Sequence, residues 1–536
     1  NDSADYFLGG RDATWLAIGA SIFASNIGSE HLIGLAGAGA SSGMAMAHWE
    51  IQGWMILILG WVFVPFYTRS MVYTMPEFLE RRYNPQSRTI LSVISLVSYV
   101  LTKVAVTVYA GGLVFQQVFG IKELWGIDFF WIAAIGLVVL TALYTIFGGM
   151  KSVLYTSVLQ TPILLLGSLI ILVLGFKELG GWDEMMRVCG AVTVNDYGDT
   201  MTNLIRSNDD ANFPWLGALI GSAIIGFWYW CTDQFIVQRV LSGKNEMEAR
   251  RGTIFGAYLK LLPVFLFLIP GMIAFALHQK YIGAGGEGFL PMLENGTANA
   301  DAAFPTLVAK LLPAGVKGLV VCGILAALMS SLASLFNSSA MLFTIDFYKR
   351  FRPQTSEKKL VGIGQVATVV IVILGILWIP IMRSVGDVLY TYLQDVQSVL
   401  APGIAAAFLL GICWKRTSAQ GGMWGLISGM VIGLTRLGAK VYYSNAGEVA
   451  DSTFKYLFYD MNWLFFCGWM FLFCIIVVIV VSLATEAPTA EKIQGLVFGT
   501  ATKEQKASTR ASWNHWDIIH TVIILAITGA FYWYFW

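Results

Sequence analysis

The stretch that decides the fold reads Phe23-Ala24-Ser25-Asn26-Ile27-Gly28-Ser29-Glu30-His31. It places polar residues and a glycine in the middle of an apolar run, 14–42, that is long enough to cross a bilayer. A lipid-facing helix does not tolerate such an interruption, because carbonyl oxygens freed at a break need partners inside the protein or around a bound ion or solute. The stretch therefore predicts a broken transmembrane helix with a binding site at the break.

Other apolar runs of similar length follow along the 536 residues, of which 57% are hydrophobic and only 12% charged. An average soluble protein has about 25% charged residues. The runs are continuous and rich in Leu, Ile, Ala and Gly, which favours helices over the alternating strands of a β-barrel. We predict an all-α polytopic membrane protein with about 13 transmembrane helices, numbered here as spans 1 to 13: 14–42, 47–68, 88–119, 127–148, 153–176, 214–240, 251–278, 314–348, 360–382, 386–412, 420–438, 457–484 and 515–536.

The distribution of charge supports this number of spans. If residues 1–13 are cytoplasmic, the loops on that side hold 21 of the 34 Lys and Arg residues and the opposite side holds 11, which follows the positive-inside rule. A net charge of +1 without a basic patch predicts no nucleic-acid partner. No zinc-ligand spacing, nucleophile–base pair or phosphate loop is present, so we expect no enzyme. The expected location is the plasma membrane, with no obligate protein partner implied.

A second interruption follows five spans later, in Gly226-Phe227-Trp228-Tyr229-Trp230-Cys231-Thr232-Asp233-Gln234. Breaks in corresponding helices of two halves indicate an inverted-repeat transporter, although a glycine such as Gly226 also serves close helix packing. The predicted organisation is an N-terminal segment, a first five-helix repeat, an outer loop, a second five-helix repeat and a C-terminal part with three additional helices and an inner loop 485–514. These five parts are 1–13, 14–176, 177–213, 214–412 and 413–536.

The polar residues inside the spans predict the kind of solute. Ionisable groups at membrane depth cost several kcal/mol each and mark a site by default. Together with two amides they form a mixed set that suits an uncharged ligand with many hydroxyls, since each hydroxyl both donates and accepts. The set is Asn26, His31, Glu50, Lys103, Asp233, Lys260 and Gln394. No arginine lies at mid-depth to bind a carboxylate or phosphate. Equally, Lys103 and Asp233 could form a structural ion pair, and His31 could cap the broken helix.

A serine-rich segment of span 8 predicts an ion site. Ala327, Ser330 and Ser331 stand at i, i+3 and i+4, so a carbonyl and two hydroxyls share one helix face. With the freed carbonyls of Ala24 and Ile27 they provide five neutral oxygens, which suit a sodium ion that must be released in every cycle. The competing interpretation is that small residues only let the helices approach closely.

Several motifs carry a resemblance to a known family: Phe23-Ala24-Ser25-Asn26-Ile27-Gly28-Ser29, Trp228-Tyr229-Trp230-Cys231-Thr232-Asp233-Gln234, Tyr258-Leu259-Lys260-Leu261, Met329-Ser330-Ser331-Leu332, and Phe408-Leu409-Leu410-Gly411 with Trp414-Lys415-Arg416. In this order the chain resembles the sodium/glucose cotransporters of the solute:sodium symporter family. The resemblance implies a LeuT-type fold of two inverted five-helix repeats that works by alternating access. Family members usually have one more helix in front, followed by a segment that Asp5-Tyr6-Phe7-Leu8-Gly9-Gly10 resembles.

The resemblance also implies roles for individual residues. Sugar contacts would be Asn26, His31, Glu50, Tyr229, Trp230, Lys260 and Gln394, and the sodium site would be Ala24, Ile27, Ala327, Ser330 and Ser331. Gates would be Leu35, Trp49, Tyr229 and Tyr390. A second sodium site of some members needs an aspartate where this chain has Ser157, and Ala333 lacks a hydroxyl, so one sodium per sugar is expected. Thr391 replaces an aspartate of some relatives.

The predicted function is sodium-coupled symport of a monosaccharide of the glucose or galactose type. Alternatives are symport of another small solute, such as an inositol, another polyol or a carboxylate, and a sugar sensor or sodium leak that binds without coupling. The expected ligands are therefore a small neutral sugar and a co-transported sodium ion in a lipid bilayer.

Overall fold

The structure is a computed structural model that describes the backbone of residues 2–28, 30–293, 296–385, 389–445 and 449–536. Within these ranges it describes all side chains except those of 100–102, 379, 381–385, 389–395, 441, 444 and 445. Helices dominate throughout, as the apolar runs predict, and large apolar side chains such as Leu159, Leu377 and Trp469 remain exposed on the outer faces of the helices. Such an outer surface suits contact with lipid.

The first half of the chain contains the following helical segments: Ser3–Leu8, Gly9–Arg11, Trp15–Asn26, Glu30–Leu35, Ala36–Ser41, Gly43–Met46, Ala47–Glu50, Gly53–Ile58, Leu59–Phe63, Val64–Ser70, Met75–Arg82, Pro85–Ser98, Tyr99–Val104, Ala105–Phe119, Phe129–Leu179 and Trp182–Gly190. Short strands Glu123–Leu124 and Ile127–Asp128 pair as an antiparallel hairpin between spans 3 and 4. The hairpin reaches the predicted start of span 4, whose helix begins two residues later at Phe129, and the all-α fold class is confirmed.

The second half continues with Trp215–Gly226, Phe227–Thr232, Gln234–Leu241, Glu246–Lys260, Val264–Leu268, Ile269–Gly283, Ala300–Ala302, Ala303–Leu311, Ala314–Met341, Leu342–Tyr348, Lys349–Phe351, Glu357–Val385, Leu389–Cys413, Ala419–Asn445, Thr453–Lys455, Tyr456–Asp460, Trp463–Ala484, Ala490–Ile493, Lys503–Ala511 and His515–Tyr534. The outer loop after span 7 thus includes a helix of its own, Ala303–Leu311.

Nine helices in the described ranges are long and apolar enough to cross a membrane. One of them, Phe129–Leu179, covers both span 4 and span 5. Gly149 separates the two spans, because its angles of φ 56° and ψ −150° are not helical. A single straight helix of 51 residues would measure about 77 Å, more than twice the bilayer core. Spans 1, 3 and 11 are not among these nine helices. They are helical as predicted, but they are interrupted or more polar than the nine.

Spans 1 and 6 are broken at the predicted places and in the same way. Span 1 leaves the helix at Ile27, with φ −76° and ψ 109°, and span 6 leaves it at Asp233, with φ −78° and ψ 128°. Both values are extended backbone, which cannot continue a helix. The Asp233 side chain then accepts a hydrogen bond from Phe235 N and caps the next helix, Gln234–Leu241. The two breaks are the local structures that position the candidate site.

Spans 1 and 7 pack backbone to backbone beside the first break. A Cβ added to Gly19 would lie 2.8 Å from the carbonyl oxygen of Gly252, and one added to Gly252 would lie 2.6 Å from Ile18. Further along, Gly271 lies against the backbone of Ala36. Small residues permit this approach, as they do in membrane helix pairs generally. Span 7 therefore follows span 1 on both sides of its break.

The outer loop 177–213 is anchored on the turn between spans 1 and 2. Met44 N donates to the carbonyl oxygen of Met201 at 2.8 Å, and Leu204 N donates to Phe535 O at 2.9 Å. Gly43 has a φ of 73°, and a Cβ at this position would overlap the Met201 carbonyl. The turn therefore needs glycine for its conformation and for the contact with the loop.

We predict that Gly43→Ala lowers the thermal unfolding temperature of the detergent-purified protein more than Gly120→Ala does. Gly120 also has a positive φ, 64°, but a Cβ there would meet nothing within 4 Å. Both variants bear the conformational cost of about 1 kcal/mol, and only Gly43→Ala also separates the loop from the turn. Equal shifts of the unfolding temperature in the two variants would contradict this role of the loop.

Candidate functional site

Five of the predicted solute-binding residues form one connected polar network between the two broken helices. Lys260 Nζ donates to Glu50 Oε2 at 2.5 Å and to Asn26 Oδ1 at 3.1 Å. Asn26 Nδ2 donates to the hydroxyl of Tyr229 at 3.1 Å, and His31 Nε2 lies 3.0 Å from Glu50 Oε2. Spans 1, 2, 6 and 7 thus each contribute at least one member of the network.

The network combines opposite charges with neutral donors and acceptors. The buried Glu50 carboxylate contacts both Lys260 and His31, so its charge is offset at membrane depth. Two other polar atoms close by have no partner in the described part of the chain, His31 Nδ1 and Trp49 Nε1. Buried atoms of this kind are costly when unpaired. A solute hydroxyl could satisfy them.

Trp230 stands beside the network with its indole oriented by a residue that the sequence argument missed. Its Nε1 donates to Gln52 Oε1 at 3.3 Å, while Gln52 Nε2 donates to Ser222 O at 2.8 Å. A Cβ on Gly226 would lie 2.6 Å from Gln52 Oε1, so the glycine makes room for this amide. The signal was available, because Gln52 is a polar residue at depth in span 2, two residues after Glu50.

A small cavity of about 20 Å³ joins the network to the predicted sodium site. Its lining includes Asn26 and Tyr229 of the network and Ser331 of the predicted sodium site. The whole lining is Ser25, Asn26, Gly28, Glu30, Lys103, Thr107, Tyr229, Phe235, Ser331 and Leu335. Ordinary ligand pockets measure roughly 300–1,000 Å³. A ring-shaped solute therefore requires these side chains to separate, as alternating access demands of the helices that carry them.

The structure describes two of the three side chains predicted to form the outer gate, those of Leu35 and Trp49. Leu35 is buried, and Trp49 stacks on Trp463 with ring centroids 5.5 Å apart and meets Phe213 of the outer loop at 5.9 Å. Aromatic side chains therefore cover the network on this side. The side chains of Tyr390, Thr391 and Gln394, for which gating, specificity and solute contact are predicted, lie outside the described residues.

A second buried charge pair lies at the break of span 6. Lys103 Nζ donates to Asp233 Oδ2 at 2.8 Å, and the Tyr99 hydroxyl donates to the other carboxylate oxygen. The same hydroxyl accepts from Phe235 N at 3.1 Å. Four aromatic rings surround the ammonium group at 4.8 to 5.3 Å, those of Tyr99, Trp228, Tyr229 and Phe235. Of the two interpretations of Lys103 and Asp233, the structure shows the ion pair.

Carbonyl oxygens are satisfied differently at the two breaks. At span 6, Cys231 O accepts from the Tyr67 hydroxyl and Trp228 O accepts from the Thr232 hydroxyl. At span 1, the carbonyl oxygens of Ala24 and Ile27 accept no hydrogen bond in the described chain, which omits Ser29. Carbonyls freed at membrane depth need partners. The sodium ion predicted from the sequence would supply such a partner at the first break.

Span 8 supplies hydroxyls on the other side of this break. A Cβ on Gly28 would lie 3.0 Å from Ser331 Oγ, and Ser25 Oγ lies 2.5 Å from Ser334 Oγ. Ala327, Ser330 and Ser331 are buried. The structure therefore places Ser331 and Ser334 of span 8 beside the first break. The sodium site at Ala24, Ile27, Ala327, Ser330 and Ser331 stays a prediction.

Ser157 lies at the edge of the same contact. Its hydroxyl donates to Val153 O at 2.6 Å and lies 3.5 Å from the hydroxyls of Ser21 and Ser330. It therefore satisfies its own helix and brings no negative charge to span 8. Ala333 is buried and contributes no oxygen from its side chain. The expectation of a single sodium site stays a prediction.

Two broken helices, five spans apart and polar at both breaks, define an ion-coupled carrier with inverted repeats. Residues 6–429 match the model of the sodium:solute symporter family, and the chain belongs to this family. It is a sodium-coupled symporter with sodium as the co-transported ion, it lies in the plasma membrane, and it is not an enzyme.

Named relatives are sodium/myo-inositol cotransporters. Cotransporter 2 of Homo sapiens is 37% identical over 508 residues, which cover 92% of this chain and 74% of the relative. The sodium/myo-inositol cotransporter of Canis lupus familiaris is 37% identical over 516 residues, covering 92% and 71%. A solved structure of a Na⁺-coupled sialic acid symporter, 22% identical, covers 91% of this chain and 93% of its own with a TM-score of 0.71. The LeuT-type fold is confirmed.

The comparisons confirm the coarser parts of the sequence interpretation. The family, sodium coupling and fold are confirmed, whereas the preference for glucose or galactose is not. The relatives support the predicted alternative, an inositol, better than the predicted main solute. Side chains that bind hydroxyls do not by themselves distinguish between two rings that both carry many hydroxyls.

We predict that Lys103→Met and Asp233→Asn each destabilise the protein by about 3 to 5 kcal/mol, because each leaves one buried charge without its partner. The double variant Lys103→Met/Asp233→Asn should recover most of that loss, since it leaves no charge behind. Thermal unfolding of the three purified variants and the parent provides the measurement. A double variant whose loss equals the sum of the two single losses would show that the pair is not coupled.

Proposed function

We propose that this symporter carries myo-inositol, or another cyclic polyol of the same size, together with one sodium ion per solute. The observation that supports the proposal is the network of Asn26, Glu50, Tyr229 and Lys260, which supplies alternating donors and acceptors around a site without an added net charge. Such a set matches a neutral ring that carries hydroxyls on every side. The named relatives share this class of solute.

Solute hydroxyls would replace the contacts that the side chains now make with one another. Asn26, Glu50 and Lys260 would bind hydroxyls directly, and His31 Nδ1 offers a further nitrogen that has no protein partner in the described chain. Trp230, oriented by Gln52, would cover one face of the ring, and Tyr229 would close the site on the inner side. Gln394 is proposed as a further contact on the basis of the sequence.

Sodium would bind where spans 1 and 8 meet, on the carbonyls of Ala24, Ile27 and Ala327 and the hydroxyls of Ser330 and Ser331. Asn26 lies between two of these carbonyls, so an ion there would hold its side chain in position for the solute. Ligands without charge suit a cation that has to leave in each cycle. With Ser157 in place of a carboxylate, one ion per solute is expected.

A monosaccharide of the glucose or galactose type is the second candidate. The observation that favours it is the pair of aromatic rings, Tyr229 and Trp230, with centroids 4.9 Å apart and nearly perpendicular planes. Flat apolar surfaces of this kind suit the C–H face of a pyranose as well as that of a cyclohexane polyol. The two candidates share the binding chemistry and differ in which hydroxyls are contacted.

Uptake into proteoliposomes tests the proposal. Radiolabelled myo-inositol should accumulate under an inward sodium gradient but not when potassium replaces sodium, and galactose should compete only weakly. Glu50→Gln should lower uptake at least about tenfold, because Lys260 and His31 lose their shared charge partner. Sodium and solute fluxes measured together should give a ratio of one.

Glu184→Gln is the matched control for Glu50→Gln. Glu184 pairs with Arg187 on an exposed helix outside the spans, so this variant should transport like the parent. Accumulation of galactose but not myo-inositol would establish the second candidate instead. Uptake of neither solute would contradict the proposed cargo. Uptake that does not depend on sodium would contradict the proposed coupling.

A further inference from the structure

A groove of about 540 Å³ lies between the starts of spans 1, 7 and 13, away from the transport site. One face of span 7 forms its centre, with residues spaced at i, i+3, i+4 and i+7. The lining consists of Arg251, Ile254, Phe255 and Tyr258 from span 7, Trp15 from span 1, and Asn514, Trp516, Asp517 and His520 from span 13. Proposed solute and sodium ligands are absent from this lining.

The groove lies at the level of the inner leaflet. Span 7 follows the loop 239–251 and span 13 follows the loop 485–514, both on the side that the Lys and Arg distribution makes cytoplasmic. Trp15 and Trp516, 41% and 57% exposed, stand at the first helical turns on that side. Tryptophans at this position are typical of the boundary between lipid headgroups and acyl chains. The substance that fills a lateral groove at this depth is lipid.

Arg251 provides the polar end of the groove. Its Nε donates to Asp517 Oδ1 at 3.1 Å, while its two terminal amino groups have no hydrogen-bond partner within the described ranges. The side chain is 34% exposed. A guanidinium group with two free N–H donors binds a phosphate in a bidentate manner. The groove therefore has a donor pair of the right kind for a phosphodiester.

Nearby carboxylates are already used by the protein and would repel a phosphate less than free ones. Asp517 accepts from Arg251 and from Asn514 N at 2.9 Å, which is part of the cap of span 13. Glu248 accepts from Trp15 N at 2.6 Å. His520 Nδ1 lies 2.9 Å from the Tyr258 hydroxyl, so its ring is held at the wall of the groove.

The other end of the groove is apolar. Trp15 and Phe255 meet edge to face, with ring centroids 5.3 Å apart at 85°, and Ile254 continues the surface along span 7. A phosphate-binding end followed by an apolar wall matches an amphiphile lying along the helices. Basic pockets between helices on the cytoplasmic side are typical sites for lipid headgroups.

We propose that this groove binds one glycerophospholipid of the inner leaflet, with its phosphate on Arg251 and an acyl chain against Trp15, Ile254 and Phe255. The bound lipid joins three elements that belong to different parts of the fold: the first half of broken span 1, span 7, and the last helix. Lys260 lies two residues beyond Tyr258, so the same helix carries both the lipid and the transport network. The site is independent of the identity of the transported solute.

Native mass spectrometry of the purified protein tests the proposal, with phosphatidylglycerol as the probe and diacylglycerol of the same chains as the comparison. The parent should retain one phosphatidylglycerol molecule at concentrations that leave diacylglycerol unbound. Arg251→Met should weaken the retention about tenfold, the effect of one charge-assisted contact. Ile254→Trp, which fills the apolar end, should reduce it without changing any charge.

Arg187→Met is the matched control, because Arg187 is an exposed arginine on the opposite side of the membrane, paired with Glu184. If Arg251→Met fails to fold, the double variant Arg251→Met/Asp517→Asn takes its place. Its second substitution removes the carboxylate that Arg251→Met leaves without the guanidinium partner. A thermal shift on adding phosphatidylglycerol, larger in the parent than in Ile254→Trp, gives a second readout. Equal retention of phosphatidylglycerol and diacylglycerol, or unchanged binding in both groove variants, would overturn the proposal.

Discussion

The structure depends on the cost of leaving backbone carbonyls unpaired at membrane depth. A helix that stops at Ile27 inside a bilayer exposes carbonyl oxygens, and water is absent to satisfy them. At span 6 the protein solves the same problem with its own side chains, through the hydroxyls of Tyr67 and Thr232. At span 1 the carbonyl oxygens of Ala24 and Ile27 accept no hydrogen bond in the described residues, and the hydroxyls of Ser331 and Ser334 lie beside the neighbouring Gly28 and Ser25. This difference between two otherwise similar breaks is the physical basis for placing the ion at the first one.

Buried charge follows from the same constraint. The two buried ammonium groups at the breaks each have a carboxylate partner, Lys260 with Glu50 and Lys103 with Asp233, because an isolated charge is too costly in low dielectric. Tyr229 contacts both groups, through a hydrogen bond from Asn26 to its hydroxyl and through the Lys103 ammonium group over its ring. Movement of Tyr229 would therefore disturb both pairs, which suits a residue proposed to close the solute site.

Sequence reasoning predicted the broken helices and most of the polar network, because membrane depth makes a polar residue conspicuous. Asn26, Glu50 and Lys260 stand out from apolar runs, and the structure places them within hydrogen-bond distance. Gln52 was missed, although it is polar at similar depth, since its role appears only when span 6 is packed against it. The hairpin Glu123–Leu124 and Ile127–Asp128 was missed because two-residue strands leave no periodic pattern. The sequence did not decide which hydroxyl-bearing ring is carried, since hydroxyl-binding side chains serve several rings.

Equilibrium binding of myo-inositol to the purified protein, by calorimetry in sodium and in potassium, tests the central claim that sodium at the first break prepares the solute site. Sodium should raise the affinity for the solute, and the solute should raise the affinity for sodium by the same factor. In Ser331→Ala that factor should fall towards one, while Ser339→Ala, on the same helix, should keep it. Equal solute affinity in sodium and potassium, or a factor unchanged in Ser331→Ala, would contradict the account.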